Sequence, residues 1–246
     1  SMLTGKTDQN AAPSSFHEIM PSADGKKNVG KVISDNYEVV EGSWPKNKNE
    51  VVLVLDENNS LSLTAVYELG LKSASEYHDM MNQLNSGDDV KTDTKKIDYS
   101  DVIDRTLKLL PACDQYVKGD NGHWTYVGDD VDQINALIDS DKAIDLKIVG
   151  VVKPVEDADA TPLSSGVGYT RALTNELIDR AESSEIVTEQ RSDKDHNVLN
   201  GMTFSPSDDA TKAQDARDYV ASLGVSSKAQ MAQNMMAAAG ASGGDS

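Results

Sequence analysis

The chain has 246 residues, 38% of them hydrophobic, a composition typical of an ordered soluble protein with one large domain or two small ones. Its formal net charge of −18, from 41 acidic and 23 basic residues, repels phosphate backbones and argues against nucleic-acid binding. No stretch approaches the roughly 20 apolar residues of a spanning helix, so we expect this chain not to insert into a membrane.

The N-terminal residues are small and polar, and we expect residues 1–15 to be disordered. Ser1–Lys6 lacks the basic segment followed by an apolar segment that a signal peptide requires. A cytosolic protein and a piece cut out of a longer protein both fit this observation. Ordered structure is predicted to begin near Phe16.

Strands and then helices are predicted in the first third of the chain. Tyr37–Glu41 predicts a strand that ends in a turn at Gly42–Pro45. Val51–Leu55 is a continuous apolar run, mostly β-branched, which predicts a central strand covered on both faces. Capping residues and helical spacing then predict two short helices, over residues 60–70 and 73–87.

Residues 86–142 begin with a charged, apolar-poor stretch and then predict a small lobe. Two strands are expected over residues 106–116 and 123–127. They are joined through Gly119–Gly122, where Asn-Gly suits a tight hairpin that needs positive φ. Asp130 is expected to cap a short helix with one apolar face, formed by Val131, Ile134, Leu137 and Ile138.

Leu146–Val152 is the second strong apolar run, and Pro154 ends it. Its similarity in character to Val51–Leu55 predicts that both runs belong to one sheet. Residues 86–142 would then be an insertion between the two halves of that sheet. The predicted fold class is therefore α+β and two-lobed, a mixed sheet with packed helices, an inserted second lobe and a helical C-terminal tail.

The last third of the chain predicts a loop followed by helices. Residues 156–168 are rich in Asp, Ala, Ser and Gly and predict a loop, and residues 169–181 predict a helix. Residues 205–246 are interpreted as a helical tail that starts at Ser205-Pro206, with acidic residues at its positive end. Helices are expected there over residues 207–223 and 226–239.

Residues with catalytic or metal-binding potential are scattered. Cys113 excludes an intramolecular disulfide, and its apolar surroundings favour a buried structural thiol over a nucleophile. No histidine pair has the spacing of a zinc motif, and the four are far apart: His17, His78, His123 and His196.

Several short motifs match known sites only in part. Asp56–Ser60 resembles the start of a calcium loop, but Leu61 and Tyr67 replace its required Gly and Glu, so we interpret it as a turn. Asp129, Asp130 and Asp132 are explained by helix capping. Gly166-Val167-Gly168 matches part of a dinucleotide-binding motif, but Arg171 stands in place of its third glycine. Ser34-Asp35-Asn36 matches one triplet of the penicillin-binding motif set, and the other motifs of that set are missing from the sequence. We predict no catalytic, cofactor-binding or metal-binding residues, and expect a protein that is not an enzyme.

An ordered set of segments resembles one family. Phe16–Ser22, Tyr37–Pro45 and Glu50–Gly70 are similar to the opening of the large extracellular loop in MacB/FtsX-type ABC-transporter permeases, and Lys147–Pro154 with Ser164–Thr170 to its second half. The resemblance runs over residues 16–204, the expected core domain.

The resemblance implies a two-lobed α+β domain on the extracellular face of the cell membrane, excised from a multi-pass permease. It implies an ABC ATP-binding subunit or domain as a partner, a second permease copy in a dimeric transporter, and mechanical coupling without catalysis. The main alternative is a free-standing extracellular binding protein for a solute or peptide. A secreted hydrolase with clustered carboxylates is a second alternative.

Overall fold

The computed structural model describes residues 15–61, 99–225, 228–229 and 231–233. Both helices predicted before residue 87 lie outside these ranges, as do residues 1–14 of the predicted disordered segment and most of the second tail helix. Ser15 is part of the fold: it is buried, and its carbonyl oxygen accepts a hydrogen bond from the Val167 amide at 2.6 Å.

A six-stranded mixed sheet forms the centre of the fold. Its strands are β1 (Phe16–Glu18), β2 (Tyr37–Gly42), β3 (Glu50–Val54), β4 (Thr106–Leu109), β7 (Ile144–Pro154) and β8 (Gly166–Tyr169). They run in the order β1-β8-β3-β7-β2, and β4 pairs with the first part of β7. The β1–β8 and β3–β7 pairs are parallel, and the other pairs are antiparallel. The two apolar runs predicted to share a sheet are β3 and β7, which are direct neighbours.

Strand β3 is buried on both faces, as its continuous apolar run predicts. Val51 and Leu53 belong to one apolar cluster with Leu146, Ile148 and Leu173. Val52 and Val54 belong to a second cluster, with Ile19, Ile33, Tyr37, Val152 and Leu163. Because side chains alternate along a strand, the two clusters lie on opposite faces of the sheet.

The helices with defined bounds are α1 (Lys31–Asn36), α2 (Val131–Ile138), α3 (Arg171–Ser183), α4 (Glu185–Ser192) and α5 (Asp209–Ser222). Residues 225, 228–229 and 231–233 are also helical. Asp130 caps α2 as predicted, because its Oδ1 accepts a hydrogen bond from the Gln133 amide at 3.0 Å. The start of α5 differs from the prediction at Ser205-Pro206. Asp208 is the N-cap there and accepts from the Thr211 amide at 2.7 Å.

Strand β8 corrects the prediction of a loop over residues 156–168 and of a helix from residue 169. Strand positions 166 and 168 are occupied by glycine because close neighbours leave little space for a side chain. A Cβ at Gly166 would lie 2.0 Å from the Ser15 carbonyl oxygen, and one at Gly168 would lie 3.1 Å from a Val52 methyl carbon. Helix α3 begins only after this strand.

The long strand predicted over residues 106–116 is also wrong, because it is interrupted. Strand β4 ends at Leu109, and a 3-10 turn over Ala112–Gln115 follows Pro111, which has no amide proton for a strand ladder. The predicted hairpin is confirmed: β5 (Tyr116–Lys118) pairs with β6 (Trp124–Tyr126), and the Gly119 amide donates to the His123 carbonyl oxygen at 2.9 Å. The turn differs from the tight one predicted from Asn-Gly, because of those two residues only Gly122 has a positive φ, of 80°.

The fold is α+β, and the chain forms two compact units. Unit 1 comprises residues 1–115 and 130–181 and contains the six-stranded sheet. Unit 2 comprises residues 116–129 and 182–246 and contains the β5–β6 hairpin with α4 and α5. The proposed boundaries of the inserted lobe at 86–142 and of the tail at 205–246 stay predictions.

Candidate functional site

The histidines and acidic residues singled out in the sequence do not converge on a metal site in the described ranges. No group of three or more His, Cys, Asp or Glu side chains there is arranged to hold a metal ion. His17 is in unit 1, His123 and His196 are in unit 2, and His78 lies outside the described residues. His196 Nδ1 lies within hydrogen-bond distance of Asp193 Oδ1, at 3.0 Å, and both side chains are exposed.

Cys113 is half-buried in the 3-10 turn that follows Pro111. Burial raises the pKa of its thiol, and the neighbouring Asp114 carboxylate adds to that effect. Asp114 is itself paired with Arg180, whose Nε lies 2.8 Å from Asp114 Oδ2. A thiol that is held protonated is a poor nucleophile, which agrees with a structural thiol.

The Asp56–Ser60 segment is a turn, as interpreted from its sequence. Asp56 Oδ1 accepts hydrogen bonds from the Asn58 amide at 2.9 Å and the Ser60 amide at 2.8 Å. Asn59 adopts a positive φ of 57°, which asparagine tolerates. The carboxylate is therefore committed to the backbone of its own turn.

The two fragmentary motifs are part of regular structure. Gly166-Val167-Gly168 forms most of β8, so it is not a phosphate-binding loop. Ser34-Asp35-Asn36 is the last turn of α1, where Asp35 pairs with Lys31 at 2.6 Å. Asn36 is buried, and its Oδ1 accepts from the Ala160 amide at 3.2 Å.

A connected polar group of unit 1 lies where parallel strands β1 and β8 end and helix α3 begins. We call it the Glu18 cluster, and it consists of Glu18, Tyr169, Arg171 and Thr174. Glu18 Oε1 lies 2.5 Å from Arg171 Nε, and Glu18 Oε2 accepts a hydrogen bond from the Thr174 hydroxyl. Burial raises the pKa of Tyr169, and the Glu18 charge adds to this increase.

This position at the carboxyl ends of parallel strands and the start of a helix is where α/β proteins commonly bind anions. Here Glu18 of β1 contacts the Arg171 and Thr174 side chains in the first turn of α3. Both of its carboxylate oxygens are engaged, so the Glu18 cluster ties β1 to α3. No sequence motif signals it, because Glu18 and Arg171 are 153 residues apart.

Unit 2 has its own polar group around Glu189 of α4. Glu189 Oε2 accepts from Lys118 Nζ at 2.8 Å and from the indole nitrogen of Trp124 at 2.9 Å. These hydrogen bonds lower the pKa of Glu189. Lys118 Nζ also lies 5.9 Å from the centre of the Trp124 ring. The group joins the hairpin to α4, and its donors and acceptor satisfy one another.

Comparisons of the chain with protein-family models, with curated proteins and with solved structures give no match. Within the described residues, no helix is both long enough and apolar enough to cross a membrane.

Proposed function

We propose that this chain is the extracellular domain of an ABC-transporter permease of the MacB/FtsX type and that it has no catalytic role. It transmits ATP-driven motion from the membrane part of the transporter to the extracellular side. Its partners are an ABC ATP-binding subunit or domain and a second permease copy, which the resemblance implies.

One observation supports the proposal most. The five segments that carry the resemblance hold the five strands of the path β1-β8-β3-β7-β2, of which β7 begins three residues before its segment, at Ile144. They are dispersed over residues 16–170 in sequence, yet each strand is hydrogen-bonded to the next along this path. The segments are therefore neighbours in one sheet, which is the arrangement that a shared domain would require.

The two polar groups described above are compatible with a mechanical role. In the Glu18 cluster both carboxylate oxygens contact side chains of α3, and around Glu189 one carboxylate oxygen accepts from β5 and from β6. Such contacts hold β1 on α3 and the hairpin on α4. Neither group contains a pair of carboxylates, so they do not favour the hydrolase alternative.

Site-directed labelling in intact producing cells tests the location. Asp157 is exposed in the loop between β7 and β8, and Cys113 is the single cysteine of the chain. The full-length protein would carry Asp157→Cys in a Cys113→Ser background. We expect a membrane-impermeant maleimide to label it in intact cells to the same extent as in permeabilised cells. Cys113→Ser alone is the matched control for background labelling.

The same cells distinguish the alternatives. The permease proposal predicts that the labelled protein sediments with membranes. It also predicts that the labelled protein either co-purifies with an ATP-binding chain or carries a fused ATP-binding domain. Labelled protein recovered without detergent would instead favour the free-standing binding protein. Labelling only after permeabilisation would refute both extracellular functions.

A further inference from the structure

Strand β1 is a short terminal strand of the sheet path. Its three residues pair with β8 in parallel register, with His17 opposite Gly168. The contact continues for one residue on each side, because the Ser15 carbonyl oxygen accepts from the Val167 amide at 2.6 Å and the Ile19 amide donates to the Tyr169 carbonyl oxygen at 2.8 Å. A strand with so few ladder hydrogen bonds is among the parts of a sheet that open most easily.

The side chain of His17 is not satisfied in this strand. Its Nε2 is buried and has no hydrogen-bond partner in the described structure. Phe16 packs on the first apolar cluster and Ile19 belongs to the second. Since side chains alternate along a strand, His17 lies on the face of the second cluster. Buried polar atoms without a partner are rare, and each calls for an explanation.

The elements around this face supply no counter-charge for an imidazolium within the described residues. Gly168 of β8 lies opposite His17, and a side chain at Gly168 would meet the apolar side chains of Val52 in β3 and Ile19. Charged groups on the adjacent elements are already paired: Glu18 with Arg171, and Lys31 with Asp35 on α1. Accordingly, the pKa of His17 is lowered from its usual 6.5, and burial is the cause.

We propose that protonation of His17 releases strand β1 from β8, so that this edge strand opens more often at acid pH. In the closed strand the imidazole is neutral. When β1 opens, the ring reaches water and takes up a proton at its ordinary affinity. The open state is therefore favoured as the pH falls below 6.5, until the closed state also binds a proton. The population of the open strand rises by up to about tenfold per pH unit in this window.

Amide hydrogen exchange measures the opening directly. We would compare protection factors, which correct for the intrinsic pH dependence of exchange, at about pH 7.5 and about pH 5.5. We expect the protection factor of the Ile19 amide to fall by up to about tenfold at the lower pH. The Leu53 amide, in the central strand β3, should change little and is the internal reference.

Two variants make the test specific. His17→Gln removes the titrating ring and keeps a neutral polar side chain, so the protection of Ile19 should become independent of pH in this range. His196→Gln removes an exposed histidine of unit 2 and should leave the effect intact. The proposal is wrong if wild-type protein shows no selective loss at Ile19, or if His17→Gln loses the same protection. The wild-type measurement decides even if His17→Gln does not fold.

Discussion

The hydroxyl group of Tyr37 makes two hydrogen bonds to one residue on the far side of the second apolar cluster. It donates to the Leu163 carbonyl oxygen at 2.8 Å and accepts from the Leu163 amide at 2.9 Å. Tyr37 is 3% exposed and Leu163 is 6% exposed, so water cannot replace either bond. These bonds hold the loop between β7 and β8 against β2.

We expect Tyr37→Phe to lower the free energy of unfolding of unit 1 by about 2–4 kcal/mol. Each buried backbone group of Leu163 that loses its partner costs about 1–3 kcal/mol, and the cost is partly offset because the hydroxyl no longer has to be desolvated. With a urea dependence of about 2 kcal/mol per molar, the unfolding midpoint should fall by about 1–2 M.

Urea unfolding followed by Trp44 fluorescence reports on this region, because Trp44 packs against the same cluster. Trp124 would be replaced by Phe in all proteins so that the signal comes from one residue. Tyr219→Phe, a substitution in a half-buried tyrosine of α5, is the matched control and should move the midpoint little. A shift below about 0.3 M for Tyr37→Phe, at an unchanged urea dependence, would refute the energetic role of this bond pair.

Alkaline pH gives an independent check on the same hydroxyl. Burial raises the pKa of Tyr37 above its usual 10.0. The folded state therefore favours the neutral phenol, and this contribution to stability is complete below pH 10 and is lost as the pH rises above it. We expect the stability of wild-type unit 1 to fall more steeply above pH 10 than that of Tyr37→Phe. An equal pH dependence of stability in the two proteins would contradict the conclusion that the buried Tyr37 hydroxyl causes it.

Two further substitutions test the packing of each unit. Gly150→Ala would place a carbon atom 2.2 Å from the Ser43 carbonyl oxygen, so we expect the free energy of unfolding, measured by thermal unfolding, to fall by about 1–3 kcal/mol. Gly224→Ala, whose added carbon would meet nothing within 4 Å, is the control and should change this free energy by less than about 0.5 kcal/mol. Equal effects of the two substitutions would argue against a steric clash at Gly150. Glu189→Ala leaves the buried indole N–H of Trp124 without its acceptor, so we expect it to cost about 1–3 kcal/mol in urea unfolding followed by Trp124 fluorescence. Glu189→Gln keeps an acceptor and should cost less than about 1 kcal/mol. Similar losses for the two variants would show that the charge of Glu189, not the indole hydrogen bond, stabilises the protein.

The features that could be predicted from the sequence are those with a local physical cause. Val51–Leu55 and Leu146–Val152 are apolar enough to require burial, and they form neighbouring strands. The Asp130 cap and the hairpin at Gly119–Gly122 depend on residues within a few positions of each other, so the spacing alone predicts them.

The features that could not be predicted depend on distant partners. The sequence of strand β8 predicts a loop, because Gly166 and Gly168 lack the side chains typical of a strand. Glycine is needed there because Ser15 and Val52 approach closely, and both lie more than 100 positions away in sequence. The hydrogen bonds of Tyr37 span 126 residues. Neither pattern is visible before the sheet order is known.

The sheet order also determines when this protein can fold during synthesis. Strands β1, β2 and β3 leave the ribosome early, but their partners are β7 and β8. Val51 pairs with Ile148, 97 residues later (148 − 51), and Phe16 with Val167, 151 residues later (167 − 16). Such separations slow folding, because a long loop must close before the contacts that stabilise it form. The apolar strand β3 therefore has no partner until β7 has been made, and its second edge stays unpaired until about residue 169. A ribosome that stalls before β7 is complete holds an aggregation-prone nascent chain.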